Sequence, residues 1–246
     1  MELSLCNRIN KTLFPRWLLA PLIFGQHSAI VEFLVHYYCR HSRKILDLGS
    51  RRSPYTQSLP GLVVGVDLPS PDGARLGFNV ANLKQFINRN NLAVFGRGEE
   101  LPFKTETFDS VLMIEVIEHI EKDRKALKEI FAVLKPGGIL VQSTPNGKTF
   151  PVPAKHHRRH YKPEELRSLM EEFFNFKLFW CLFPKGWLWR ESVKSVKNMI
   201  QEKDIISIIR HVAVVWFYWI ITVWWFFNGK TTDTTTLFVV AEKKTE

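Results

Sequence analysis

The sequence predicts an α/β domain, a mostly parallel sheet with helices on both faces. Three observations point there. Between Lys44 and Ser143, short apolar runs suited to strands alternate with stretches of helical spacing. The first run (Ile45, Leu46, Leu48) ends in a turn at Gly49, and the second (Leu62 to Val66) ends in an acid, Asp67. Asp67 stands 67 − 47 = 20 residues after Asp47. In a βαβ unit this spacing lets the first turn approach a nucleotide and sets a carboxylate against its ribose hydroxyls. The glycine pattern is incomplete: G-x-G-x-x-G is absent, and Arg51 and Ser53 stand where small residues are expected.

Composition fits one large domain with additions. The chain has 246 residues, 46% of them apolar, which is ample for a core. A formal charge of +10 favours anionic partners such as phospholipid, nucleic acid or an acidic substrate. Cys6, Cys39 and Cys181 are scattered, without metal spacing or a disulfide framework, and point to a reducing compartment.

The elements follow in order. Residues 1–42 read as a helical cap. The run Trp17 to Phe24 is short, broken by Pro21 and lacks a cleavage site, so it is read as a short helix rather than a signal peptide. A second helix is expected around Ile30, Phe33, Leu34 and His36 to Tyr38. Residues 43–246 form the main domain. After the two strands above come a weaker third, Leu92 to Phe95, and a central fourth, Val111 to Ile114. Asp123 is expected to cap the next helix, with Leu127, Ile130, Phe131 and Leu134 on its apolar face. Lys135-Pro136-Gly137-Gly138 stops that helix, and Ile139 to Gln142 makes the fifth strand, followed by S-T-P-N. Phe174 to Phe183 and Thr236 to Ala241 read as strands six and seven.

Five motifs in this order, D-L-G, V-D, E-E-L-P-F, F-D-S-V-L-M-I-E-V-I-E-H and L-K-P-G-G-I-L-V-Q-S-T-P-N, resemble the class I S-adenosylmethionine-dependent methyltransferases. The subgroup that the chain resembles most includes the ubiquinone-pathway O-methyltransferases. The resemblance spans about Lys44 to Phe174 and resumes at the final strand. It implies a Rossmann-like, seven-stranded sheet with an antiparallel last strand, and S-adenosylmethionine as cofactor. The implied cofactor contacts are Asp47, Leu48, Gly49 and Ser50 in the first turn, Asp67 and Leu68 at the ribose, Glu99, Glu100 and Leu101 beside the adenine, and Glu115 near the methionine end. Taken singly, Asp47 could equally bond turn amides, and Glu99 and Glu100 could be solvated loop charges. Jointly they mark the carboxyl edge of the strands, where open α/β sheets bind ligands. Two positions depart from the family pattern. Arg97 stands where an acid often faces the adenine amine. Arg51 replaces a glycine; it could crowd the methionine moiety, be turned away by Ser53-Pro54-Tyr55, or pair with the cofactor carboxylate as a bidentate donor.

Glu115, Glu118 and His119 are spaced i, i+3, i+4 and can share one face at a strand-to-helix junction. Downstream lies the basic run Lys155 to Leu166, K-H-H-R-R-H-Y-K-P-E-E-L. In some relatives an E-x-x-E-H group and a later histidine bind a divalent metal that orients substrate hydroxyls. Here His157 matches that histidine best, with His156 and His160 as rivals. The resemblance thus implies magnesium, manganese or zinc on Glu115, Glu118, His119 and His157. The plainer reading is a helix start and a solvated basic loop. Without a metal, His119 or His157 is the expected general base.

Residues 185–230 form an apolar insertion before the last strand. Trp189, Val193, Val196 and Ile200 make a stripe beside Lys194, Lys197 and Lys203, and Ile205 to Phe227 is nearly all apolar, with Arg210 and His211 its only basic residues. A single membrane crossing would strand the last β-strand away from its sheet, so an in-plane element at an anionic membrane surface is expected, with a homodimer interface as the alternative. The expectation is methylation of a hydroxyl on a lipid-linked or glycan-type acceptor, by a cytoplasmic protein peripheral at the inner face of the cell membrane. The rivals are a soluble small-molecule methyltransferase and a non-catalytic docking scaffold. The basic run permits RNA, but no nucleic-acid module is recognisable.

Overall fold

The computed structural model describes residues 25–51, 53, 55, 56, 59–71, 77–87, 90–184 and 234–245, together with positions 206, 209, 212, 213, 216, 217 and 220. The expected helix at Trp17 to Phe24, and most of the insertion, lie outside the described residues.

Helix α1 (Gly25–Cys39) leads into β1 (Lys44–Leu48) and β2 (Leu62–Asp67). Then follow α2 (Val80–Phe86), β3 (Asn91–Phe95), β4 (Phe108–Ile114) and a single 3-10 turn, Ile117–His119. Helix α3 (Asp123–Val133), β5 (Leu134–Pro145), α4 (Pro163–Glu171), β6 (Phe174–Pro184) and β7 (Thr234–Lys243) complete the order. The seven strands form one sheet in the order β3-β2-β1-β4-β5-β7-β6. Strands β1 to β5 pair in parallel, and β7 runs antiparallel to both β5 and β6. This is the sheet that the sequence predicts.

Strand periodicity explains why both faces are covered. Leu46, Val111, Met113, Leu140, Leu237 and Val239 point to the face that packs Leu127 and Ile130 of α3 and Leu166 and Met170 of α4. Their neighbours Ile45, Val63, Leu112, Val141, Phe238 and Val240 point to the other face, against Val31, Leu34 and Val35 of α1 and Phe86 of α2. A strand apolar on both sides belongs in a sheet buried on both faces. Helix α1 is therefore part of the main core.

Two local expectations change. Asp123 does not cap α3: Lys122 is the N-cap and makes no side-chain cap bond. Instead Asp123 Oδ2 accepts from Arg159 Nη1 at 2.7 Å and from the Tyr161 hydroxyl at 2.8 Å, which ties the basic run to α3. Leu134 is not the last apolar residue of α3 but the first of β5, extended at φ −72, ψ 138 and paired with Phe108. Lys135 Nζ bonds Asp109 Oδ1 at 2.6 Å across the same two strands, which holds that start in register.

Strand order reverses between β1 and β4, on either side of which the connections run in opposite directions. In an open α/β sheet a crevice forms at the carboxyl ends of the strands flanking such a point.

Candidate active site

A cleft of about 630 Å³ opens at that crevice. Of the residues that the sequence singles out for cofactor contact, Leu48, Gly49, Asp67, Leu68, Glu99 and Glu115 line it. Asp47, Ser50, Glu100 and Leu101 do not. Asp47 and Ser50 are buried behind the turn, Leu101 is in the core, where its N–H donates to Glu129 Oε2 at 3.0 Å, and Glu100 is exposed. Arg51, Arg97, Glu121 and Arg158 complete the charged lining, and His119 adds an imidazole.

The turn after β1 is fixed from both sides. Gly49 has φ 70, and a Cβ there would lie 2.4 Å from Val116 Cγ2, so only glycine fits. Its N–H donates to the carbonyl of Val66 at 2.7 Å. Asp67 is held by backbone amides: Oδ1 accepts from Leu68 at 2.8 Å and Oδ2 from Arg51 at 3.2 Å. Burial pushes the Asp67 carboxyl up, against the pull of those two amides and of the nearby Arg51 charge. Asp47 goes further. Burial raises it to about 7, a hydrogen bond from Ser53 opposes the rise, and the charge of Asp67 adds to it. Asp47 Oδ2 has no hydrogen-bond partner among the described residues.

At the other end of the cleft two carboxylates stand three residues apart in different surroundings. Glu115 adopts a left-handed backbone, φ 54. Its Oε1 accepts from Ser143 Oγ at 2.8 Å and lies 3.4 Å from His27 Nε2. Burial works against the charged form, but His27, Ser143 and the charge of His157 outweigh it and hold Glu115 below its usual range. Glu118 is fully buried. Its Oε2 accepts from Thr144 Oγ1 at 2.9 Å, and its Oε1 has no hydrogen-bond partner among the described residues. Burial first, then the neighbouring Glu115 charge, push Glu118 well up.

The basic run folds back over this turn. The backbone N–H of Arg158 donates to the Glu118 carbonyl at 2.7 Å, and Arg159 Nη2 donates to the carbonyl of Glu121 at 2.7 Å. His157 is thereby set edge-on to His119, with ring centroids 4.6 Å apart. One ligand atom each from Glu118, His119 and His157 falls within 4.8 Å of the others. Glu115 is outside this group, engaged by Ser143 and His27.

In neutral rings the hydrogen bonds fix which nitrogen carries the lone pair. His160 Nδ1 donates to the Phe150 carbonyl at 2.7 Å, so its Nε2 is an acceptor. His157 Nδ1 donates to that Nε2 at 2.7 Å, which leaves a lone pair on His157 Nε2. His119 Nδ1 donates to the His156 carbonyl at 2.8 Å, which leaves a lone pair on His119 Nε2. Burial and the neighbouring His119 and His160 lower the His157 pKa, favouring the neutral ring. Two oriented imidazole lone pairs and an unpartnered buried carboxylate oxygen fit a divalent cation, and the outward N–H bonds are those expected around metal-bound histidines.

Sequence reasoning did not single out His27, Ser143 or Thr144. His27 lies on an apolar helix with no periodic signal, and the two hydroxyls sit at a strand end where such residues are common.

Residues 46–142 match the family model described as "Methyltransferase domain". The chain is 31% identical over 132 residues to the mitochondrial ubiquinone biosynthesis O-methyltransferase of Schizosaccharomyces pombe, covering 50% of this chain and 47% of that one. It is 36% identical over 104 residues to the demethylmenaquinone methyltransferase of Streptomyces griseus, covering 42% of each. The chain spans about half the length of the curated relatives it matches. The [4+2]-cyclase SpnF shares the fold, with a TM-score of 0.59 and 13% identity over 100% of this chain and 98% of that one. A cyclase on the same fold shows that architecture alone does not name the reaction. The five ordered motifs, the sheet order and these similarities support a class I S-adenosylmethionine-dependent methyltransferase.

Proposed function

We propose that the chain transfers a methyl group from S-adenosylmethionine to a hydroxyl, on a lipid-linked or glycan-type acceptor at a membrane surface. The observation that carries this reading is the continuity of the cleft. It joins Asp67, suited to the ribose, to Glu115 and His119, which border the Glu118–His119–His157 group. Methyl transfer needs an acceptor oxygen aligned with the sulfonium methyl and a way to lose its proton. Glu118, His119 and His157 would hold a divalent metal, which when bound orients and acidifies an acceptor hydroxyl. The remaining residues serve binding. Asp67 accepts from ribose hydroxyls, and the anionic Glu115 suits the cationic end of the cofactor.

The membrane setting is supported by the insertion. Positions 206, 209, 213, 217 and 220 are helical and recur at one-face spacing. Ile206 is 74% exposed, Ile209 64%, Phe217 60% and Ile220 59%. No helix among the described residues is long and apolar enough to cross a membrane. Strand β6 ends at Pro184 opposite Thr234, and Thr236 pairs with Pro145 at the end of β5. The insertion therefore leaves and rejoins the sheet at the edge that carries the cleft.

The activity is tested with radiolabelled S-adenosylmethionine and extracted membrane lipids, with and without chelator. Chelator-sensitive label in the lipid fraction is expected. Label appearing only in water-soluble products would exclude a lipid acceptor. Replacing Ile206, Ile209, Phe217 and Ile220 with serine should abolish flotation with anionic liposomes, since each buried side chain contributes about 1.5–3 kcal/mol. Wild-type protein that ignores such liposomes and is dimeric without detergent would make the segment a protein interface.

A further inference from the structure

The turn after β1 carries an arginine in a backbone conformation that favours glycine. Arg51 has φ 38, a region that a bulky residue occupies only when its surroundings hold it there. What holds it is Asp67: the Arg51 N–H reaches Asp67 Oδ2 at 3.2 Å. The side chain is not turned away. Arg51 lines the cleft, and its guanidinium Nε is buried and has no hydrogen-bond partner among the described residues. A buried, unpaired donor of a charged group is costly, and it marks a place where a ligand acceptor belongs.

The chemistry of the cofactor says which acceptor. S-adenosylmethionine carries two cationic groups, the sulfonium and the ammonium, and one anion, the α-carboxylate of its methionyl part. Of the acids along the cleft, Asp67 suits ribose hydroxyls and Glu115 the cationic groups. Of the cofactor's charged groups, only the carboxylate is opposite in sign to the Arg51 guanidinium. The other arginines of the lining are placed elsewhere. Arg97 lies in the loop after β3, bridged through its backbone to Glu100. Arg158 is fixed by its backbone to the Glu118 carbonyl beside the histidine group. We infer that Arg51 is a cofactor-specificity residue whose guanidinium binds the α-carboxylate of the methionyl moiety, replacing the close backbone approach that a glycine would give. This inference rests on the methyltransferase reading.

The test needs no acceptor. Calorimetric titration of wild type, R51K and R51G with S-adenosylmethionine, with decarboxylated S-adenosylmethionine and with 5′-methylthioadenosine isolates the carboxylate contact. Glycine keeps the left-handed backbone without steric cost, so R51G should remain folded and melt no lower than wild type. Wild type should prefer S-adenosylmethionine over its decarboxylated form by about 10- to 100-fold, the range of a charge-assisted hydrogen bond. R51G should lose most of that preference while binding the decarboxylated form as wild type does, and R51K should fall between. A full preference retained in R51G would overturn the assignment of Arg51 alone. Failure of wild type to bind any of the three nucleosides would overturn the methyltransferase reading, and this inference with it.

Discussion

At the end of the cleft made by β1 and β2, Asp67 is held by two backbone amides of its own neighbourhood. At the other end, Glu118 is held by one hydroxyl from β5 and faces two imidazoles, one supplied by a segment about forty residues downstream. The first end is a product of local chain geometry: a strand, a turn and the tip of the next strand. The second exists only once the run around His157 has folded back over the 3-10 turn. The difference separates roles. A locally built end can bind a cofactor in any protein with this fold. An end assembled from distant segments can be changed without disturbing the first, and under the proposed function it is where the chemistry of a particular acceptor is set.

Four experiments would break or sharpen this division. The largest effect is expected at the assembled end. Chelation, or Glu118→Ala, should reduce turnover by at least about 100-fold, as loss of a metal or its ligand does, with little change in S-adenosylmethionine affinity. Protein shown by elemental analysis to be metal-free, yet turning over normally, would remove the metal from the site. Next is a pH effect at the local end. The Asp47 carboxyl is raised to about 7 in the fold, from 3.8. Its stabilising contribution is therefore complete below pH about 4 and is lost as pH rises through 7. Urea titrations of ligand-free protein from pH 5 to 8 should show a decline to which Asp47 contributes on the order of 2–4 kcal/mol, and Asp47→Asn should flatten it. An unchanged slope in the variant would mean that another group carries the dependence.

Asp67→Ala should weaken S-adenosylmethionine binding by about 1–3 kcal/mol through unpaired ribose hydroxyls, and calorimetry should show it without loss of metal. Equal affinity in the variant would take Asp67 out of the ribose site. The smallest effect is expected from His27→Ala. It removes a partner of Glu115 at 3.4 Å and should cost about 1 kcal/mol of stability in thermal melts. No change would show that Ser143 alone suffices to hold Glu115.

The same division decides what could be read before any coordinates. Asp67 and the turn at Gly49 are legible because strand ends and turns follow from apolar runs a few residues long. The i, i+3, i+4 spacing brings Glu118 and His119 into view, but it cannot say that Glu115 is taken by His27 and Ser143. Those partners come from α1 and β5, and no local pattern marks a single histidine on an apolar helix. Asp123 shows the same limit. Its position at a helix start suggests a cap, yet Arg159 and Tyr161 both claim its Oδ2 once the basic run folds over. Leu134 has the right spacing for the α3 face and still belongs to β5, because pairing with Phe108 prevails over helical propensity.

The pairing of Pro184 with Thr234 has an engineering consequence. Two residues that face each other across antiparallel strands need only a hairpin turn to join them. The roughly fifty residues now between them close the same gap at an entropic cost only about 2 kcal/mol above that of a four-residue turn. The sheet therefore does not need a long connection to bring β6 and β7 together. A short Asn-Gly hairpin in its place should yield a smaller protein that still binds S-adenosylmethionine. The excised segment should be transplantable to the same hairpin of another domain with this fold.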